Sequence, residues 1–158
     1  MTLLAAFDVV GTPVPQGSMK HVGGGRIVPS NALALRRWRK AVAAAAAEAY
    51  DEPEPYDGAV VVDCVFRLAR PKSRRKAGPF PSTGADGDKL LRAVNDAITG
   101  IVITNDARVV DQRSTKVYAD VPTLPLYEGA YVAVHALDDR SSDAIVAELP
   151  CRTHLRAA

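Results

Sequence analysis

Asp86-Gly87-Asp88-Lys89-Leu90-Leu91-Arg92-Ala93-Val94-Asn95-Asp96-Ala97-Ile98 is the stretch from which the rest of this chain can be placed. Leu90, Leu91, Val94, Ala97 and Ile98 recur at helical spacing and predict a helix over 88–99 with one buried stripe. Asp88, Arg92, Asn95, Asp96 and Thr99 share its other side. Gly100 stands where a glycine typically ends a helix. In an extended lead-in, side chains at i and i+2 point the same way, so Asp86 and Asp88 are expected to aim at one point. A third carboxylate, Asp106, follows on a turn expected at 104–107. Carboxylates forced together repel unless a cation sits between them, and hard oxygen ligands suit Mg²⁺ or Mn²⁺. The ordinary alternative is that aspartates at a helix start cap amide groups and complement the helix dipole. One aspartate there needs nothing more; two, with a third beyond the helix, are less easily explained that way.

Working outward, residues 59–68 are rich in β-branched side chains and predict a buried strand. Strands are also expected at 3–10, 101–103, 108–118 and 127–137. Residues 12–29, with Pro13, Pro15 and Gly23-Gly24-Gly25, read as a loop or loose hairpin. Ser30 or Asn31 can cap a helix running to about Tyr50, with Leu33, Leu35, Trp38 and Val42 on its apolar side. Trp38 is expected in the core. Residues 51–58 read as a turn, and 70–83, basic and punctuated by Pro and Gly, as the least ordered part. The tail after 138 is expected to be loosely attached, with a short element at 144–149. This order implies one α+β domain over 1–158, a mixed sheet with two main helices packed on it.

Length and composition agree with a single soluble domain: 158 residues, 24% charged and 47% hydrophobic. No apolar run approaches the ~20 residues of a membrane span. The start has no basic lead of signal-peptide type, and a cytoplasmic place is expected. Cys64 and Cys151 are too few and too far apart for a disulfide framework, and the three histidines lack metal-ligand spacing. Charge is unevenly spread: residues 1–79 carry 12 Lys+Arg against 7 Asp+Glu, residues 80–158 carry 8 against 11. Arg67, Arg70, Lys72, Arg74, Arg75 and Lys76 form a dense cluster, either a solvated loop or a surface that tracks phosphates. Beside carboxylates of metal-site type, phosphate contact is the expectation for Arg70, Lys72, Arg74, Arg75, Lys76 and for Lys20.

The pattern D-x-D-K-L-x-R-A-V-x-D-A-I-T-G, a short gap, N-D-x-x-V-V and then Lys116-Val117-Tyr118 resembles the RusA family of Holliday junction resolvases. Gly11-Thr12-Pro13-Val14-Pro15-Gln16-Gly17-Ser18 resembles that family's amino-terminal segment. The resemblance implies a Mg²⁺-dependent endodeoxyribonuclease acting on four-way DNA junctions as a homodimer, with no membrane partner. Asp86, Asp88 and Asp106 match the family's catalytic metal-binding acids, and Lys116 its cation for the scissile phosphate. On a strand over 108–118, Arg108, Gln112, Ser114, Lys116 and Tyr118 share one face. Arg92 matches a basic position and, one turn after Asp88, is expected to pair with it; Asp96 is expected in support. Many members carry two consecutive aspartates where this chain has Asn105-Asp106. The alternatives to a resolvase are a less selective Mg²⁺-dependent nuclease on branched DNA and a non-catalytic DNA-binding module of the same fold.

Overall fold

Apolar residues on both faces place Val60–Leu68 inside a sheet, with neighbours on either side. The computed structural model describes residues 1–17, 19–21, 27–29, 31–75 and 78–137. In it, strands β1 (Thr2–Val10), β6 (Gly129–Ala136), β4 (Val60–Leu68) and β5 (Val109–Tyr118) form one four-stranded sheet in that spatial order. β6 runs antiparallel to both β1 and β4, whereas β5 lies parallel to β4, so the sheet is mixed. A two-stranded hairpin, β2 (Met19–His21) and β3 (Ile27–Pro29), stands within the expected loop.

Helices α1 (Ala32–Ala49) and α2 (Gly87–Ile98) cover one face of the sheet. Alternate residues of the strands, among them Phe7, Val62, Phe66, Val132 and Val134, meet Leu35, Trp38 and Val42 of α1 and Leu90, Val94 and Ile98 of α2 in a single core. Burial of this apolar surface drives the association of sheet and helices. Cys64 belongs to that core, and burial pushes its thiol well above its ordinary range. The fold is therefore the α+β arrangement expected, with two helices on a small mixed sheet.

Several local expectations are corrected. Asn31 occupies the N-cap of α1 but its side chain does not cap; Nδ2 donates instead to the Pro15 carbonyl at 2.9 Å. Leu33 is exposed, because the buried stripe of α1 runs through Leu35, Trp38, Val42 and Ala46. Residues 101–103 form no strand of their own. They fold as a turn after Gly100 (φ 79°), with Val102 and Ile103 buried and Ile103 bridging to Tyr56. Among the described residues of 70–83 the chain takes one 3-10 turn, at Lys72–Arg74. The expected element at 144–149 lies outside the described residues.

On the sheet face away from the helices, Arg67 is 2% exposed. Its guanidinium donates to both carboxylate oxygens of Asp8 and to the Tyr127 carbonyl, and stacks on the Tyr127 ring at 4.7 Å. Gly129, paired with Arg67 in the register, leaves room for it: a Cβ there would strike the Val9 carbonyl and the Arg67 Nη2. Arg67 thus belongs to the frame and not to a phosphate-tracking cluster. Removing its anion leaves a buried cation, so Asp8→Ala should lower unfolding free energy by about 2–3 kcal/mol. Urea denaturation checks this; a loss under about 0.5 kcal/mol would mean that water replaces the carboxylate.

Candidate active site

The position of the acidic stretch follows from how α2 lies against β5. Three polar contacts join them. The Lys116 ammonium donates to the Ala85 carbonyl at 3.0 Å, the Ser114 hydroxyl to the Gly87 carbonyl at 3.3 Å, and Asn95 Nδ2 to Gln112 Oε1 at 3.0 Å. As the chain advances from Ala85, just before the helix, to Asn95 within it, the strand position falls from 116 to 112, so the two run antiparallel. All three strand residues lie on the face that the alternation of β5 assigns to them. The far half of α2 is thereby brought beside the start of β5, and Asp106 lies in the turn just before that strand.

Asp88, Arg92, Asn95, Asp106, Val109 and Gln112 line one cleft of about 380 Å³. Two of the three expected acids are therefore brought together. Asp86 is not among the lining residues. The reason is local: α2 begins at Gly87, so Asp88 is already helical, and a helix turns about 100° per residue. Side chains at i and i+2 then diverge, where an extended lead-in would have aligned them. Among the described residues no group of three or more His, Cys, Asp or Glu side chains converges in a metal-ligand arrangement.

Asp86 stands at the N-cap without capping through its side chain; its Oδ2 instead meets Lys89 Nζ at 2.7 Å. Hydrogen bonding and charge from Lys89, with a smaller contribution from Lys116, hold the Asp86 carboxyl below its ordinary range, and Asp86 in turn raises Lys89. Asp106 opens a 3-10 turn (Asp106–Arg108) whose N-cap is Asn105. The Asn105 Oδ1 accepts from the Ala107 amide at 2.8 Å, which orders the turn. Arg108 leaves the cleft for Asp57, to which it donates at 2.8 Å.

Asp96 takes no part in the cleft. It pairs with Arg39 of α1, which also donates to Gln16, and so ties the two helices and the 12–17 segment together. The expected pairing of Arg92 with Asp88 is absent. Arg92 makes no hydrogen bond or ion pair among the described residues, and its guanidinium is available where it lines the cleft. Asn95 and Gln112 were legible as neighbours of these residues by periodicity, but nothing in the sequence marked their mutual hydrogen bond.

The basic segment divides. Arg70 donates to Asp120 at 2.6 Å and to the Gly78 carbonyl at 3.1 Å, and its guanidinium lies 4.0 Å from the Tyr118 ring centroid. These contacts line a second cleft of about 610 Å³ with Leu126 and Tyr127, which contains none of the expected acids. Lys72, Arg74 and Arg75 are exposed. Lys20 lies on β2, and Lys76 lies outside the described residues.

A family model described as endodeoxyribonuclease RusA matches residues 9–126. No curated protein matches the chain.

Because Asp86 titrates lower in the fold than in the unfolded chain, its ion pair contributes stability above the unfolded pKa, and that contribution fades as pH falls through the folded value. Lys89→Met should return the Asp86 carboxyl toward the ordinary value of about 3.9. A carboxyl-carbon NMR titration measures it; an unchanged midpoint would assign the depression to Lys116.

Proposed function

The chain belongs to the RusA family of endodeoxyribonucleases, and we propose that it resolves four-way DNA junctions at the Asp88–Asp106 cleft, with Mg²⁺ (or Mn²⁺) as cofactor. One observation carries the reading. Of the four aspartates between 86 and 106, Asp86 and Asp96 are neutralised by Lys89 and Arg39. The two without an ion partner among the described residues, Asp88 and Asp106, line the same cleft. Repelling carboxylates left facing one space are suited to a cation.

The donor set fits a hard divalent ion. Magnesium asks for one or two carboxylates and keeps several waters, which suits two aspartates in an open cleft. Asp88 and Asp106 would hold it. Asp86 does not line the cleft, but it is exposed and its pair with Lys89 is of a kind that exchanges readily. Its carboxylate would have to leave Lys89 and turn about its own side-chain bonds to add to the set. When bound, such an ion polarises the phosphate and lowers the pKa of its water.

The chain's own residues do the rest. Arg92, in the cleft without an ion partner, takes a non-bridging phosphate oxygen. Lys116 anchors the entrance of α2 through the Ala85 carbonyl and adds positive potential beside Asp86. Lys72, Arg74 and Arg75 follow the backbone of a DNA arm, joined by Lys76 and Lys20 from the same half of the chain, while Arg70 stays with Asp120. A homodimer would set two such clefts on opposing strands and give paired nicks. No helix of the described residues is long and apolar enough to cross a membrane, and a cytoplasmic enzyme is the reading that fits.

Asp88→Asn and Asp106→Asn should each lower junction cleavage by roughly a hundredfold or more, since a lost metal ligand removes several kcal/mol of transition-state stabilisation. Junction binding should persist in a gel-shift assay. Near wild-type cutting by both variants would place the chemistry elsewhere, and equal cutting of linear duplex and junction would favour the less selective nuclease.

The backbone contacts are tested separately by salt. Log affinity falls by about 0.9 per log unit of salt for each phosphate neutralised. Replacing Lys72, Arg74 and Arg75 together by Gln should flatten that slope by roughly 2–3. A slope unchanged from the parent protein would make the segment a solvated loop.

A further inference from the structure

Asn95 is out of place by ordinary rules. It sits in the interior of α2 next in sequence to the buried Val94, is 9% exposed, and asparagine is a poor helix former. Its Nδ2 donates to Gln112 Oε1 at 3.0 Å, but its Oδ1 is buried with no hydrogen-bond partner. Buried polar atoms are nearly always paired, and one that is not calls for an occupant or a function. A leucine at 95 would remove both the orphaned oxygen and the helix penalty.

The surroundings supply the occupant. Asn95 lines the cleft that Asp88 and Asp106 also line, one face of α2 carrying both Asp88 and Asn95 at a separation of two turns. Gln112 comes from β5, the strand that Asp106 precedes. The Asn95–Gln112 bond therefore links the two elements that deliver the two carboxylates. With Nδ2 committed to Gln112, the amide cannot rotate without losing that bond, and Oδ1 is held as a neutral acceptor. A hydrated divalent cation brings water O–H donors into such a cleft, and these are what a lone carbonyl oxygen lacks.

We propose that Asn95 is a positioning residue of the metal cleft: its amide, fixed by donation to Gln112, accepts a hydrogen bond from a water of the cation that Asp88 and Asp106 hold, and so sets how tightly that cation binds. This rests on the nuclease reading of the same cleft. Partners one layer out from a metal change its affinity by about 10–100-fold when removed. Asn95 adds no charge, so it acts through a metal-bound water and the spacing of α2 against β5, not through the phosphate.

The test is a Mn²⁺ titration of the full chain without DNA, read by water-proton relaxation, for the parent protein, Asp88→Asn, Asn95→Leu and Asn95→Asp. Asn95→Leu should bind Mn²⁺ about tenfold or more weakly while its metal-free Tm stays level or rises. The unaltered Tm separates loss of a water acceptor from loss of packing. Should the leucine lower the Tm, the isosteric Asn95→Asp decides: with a charge added at the same point it should bind Mn²⁺ more tightly than the parent, and an unchanged affinity overturns the proposal. Asn95→Leu with parental affinity beside a weakened Asp88→Asn overturns it as well, leaving the cleft reading intact. Parental affinity in Asp88→Asn removes the cleft as a metal site, and this proposal with it.

Discussion

Everything at the candidate site depends on α2 being strapped to the edge strand β5. Apolar burial fixes α2 over the sheet through Leu90, Val94 and Ile98, but such packing is non-directional and would tolerate a helix slid or rotated along its groove. The three polar contacts from Lys116, Ser114 and Gln112 remove that freedom. Two of them end on backbone carbonyls at 85 and 87, outside or at the first turn of the helix, so they set where the helix begins. That start determines the rest: with Gly87 as the first helical residue, Asp88 turns toward the cleft and Asp86 toward Lys89. Gly87 also has little spare room, since a Cβ there would sit 2.9 Å from the Ser114 hydroxyl oxygen.

The second constraint is electrostatic. Several aspartates of the described residues already have an arginine: Asp8 has Arg67, Asp57 has Arg108, Asp96 has Arg39 and Asp120 has Arg70. These pairs consume four of the arginines that net charge alone would have offered to DNA. What remains is sorted in space. Lys72, Arg74 and Arg75 stay exposed beyond β4, while the unneutralised carboxylates Asp88 and Asp106 face one cleft with Arg92. Formal net charge is only +2, yet the fold separates an exposed basic segment from a cleft of unpaired carboxylates.

The large features were legible in the sequence because they rest on periodicity. The period of α2 and the β-branched run of β4 each correspond to one environment, so pattern and structure agree to within a residue or two at the ends. Alternation along β5 correctly put Gln112, Ser114 and Lys116 on one face. What could not be read was decided by a single residue of register or by contacts distant in sequence. The start of α2 differs from the expected one by one position, and that one position separates Asp86 from Asp88. Asp96 lies on the same side of α2 as Arg92, yet its partner is Arg39, 57 residues away. Arg67 has the sequence context of a surface cluster but lies at the end of β4 where Asp8 and Gly129 enclose it.

Asn105 shows how capping and charge interact at such a site. Its Oδ1 closes the turn on the Ala107 amide, a bond that an aspartate would make as well. Local structure therefore does not distinguish the two, and the difference between them is one negative charge beside Asp106. Without a cation, Asp88 and Asp106 already line one cleft with no ion partner among the described residues, and a third carboxylate would add repulsion to the metal-free fold. An amide at 105 keeps the turn and omits that cost, at the expense of some attraction for the ion. Asn95, which lines the cleft itself, has the same chemistry, an amide where a charge would fit. An amide in the cleft at 95 and an amide beside Asp106 at 105 supply polar oxygens without charge, so less repulsion builds up around Asp88 and Asp106 in the metal-free fold.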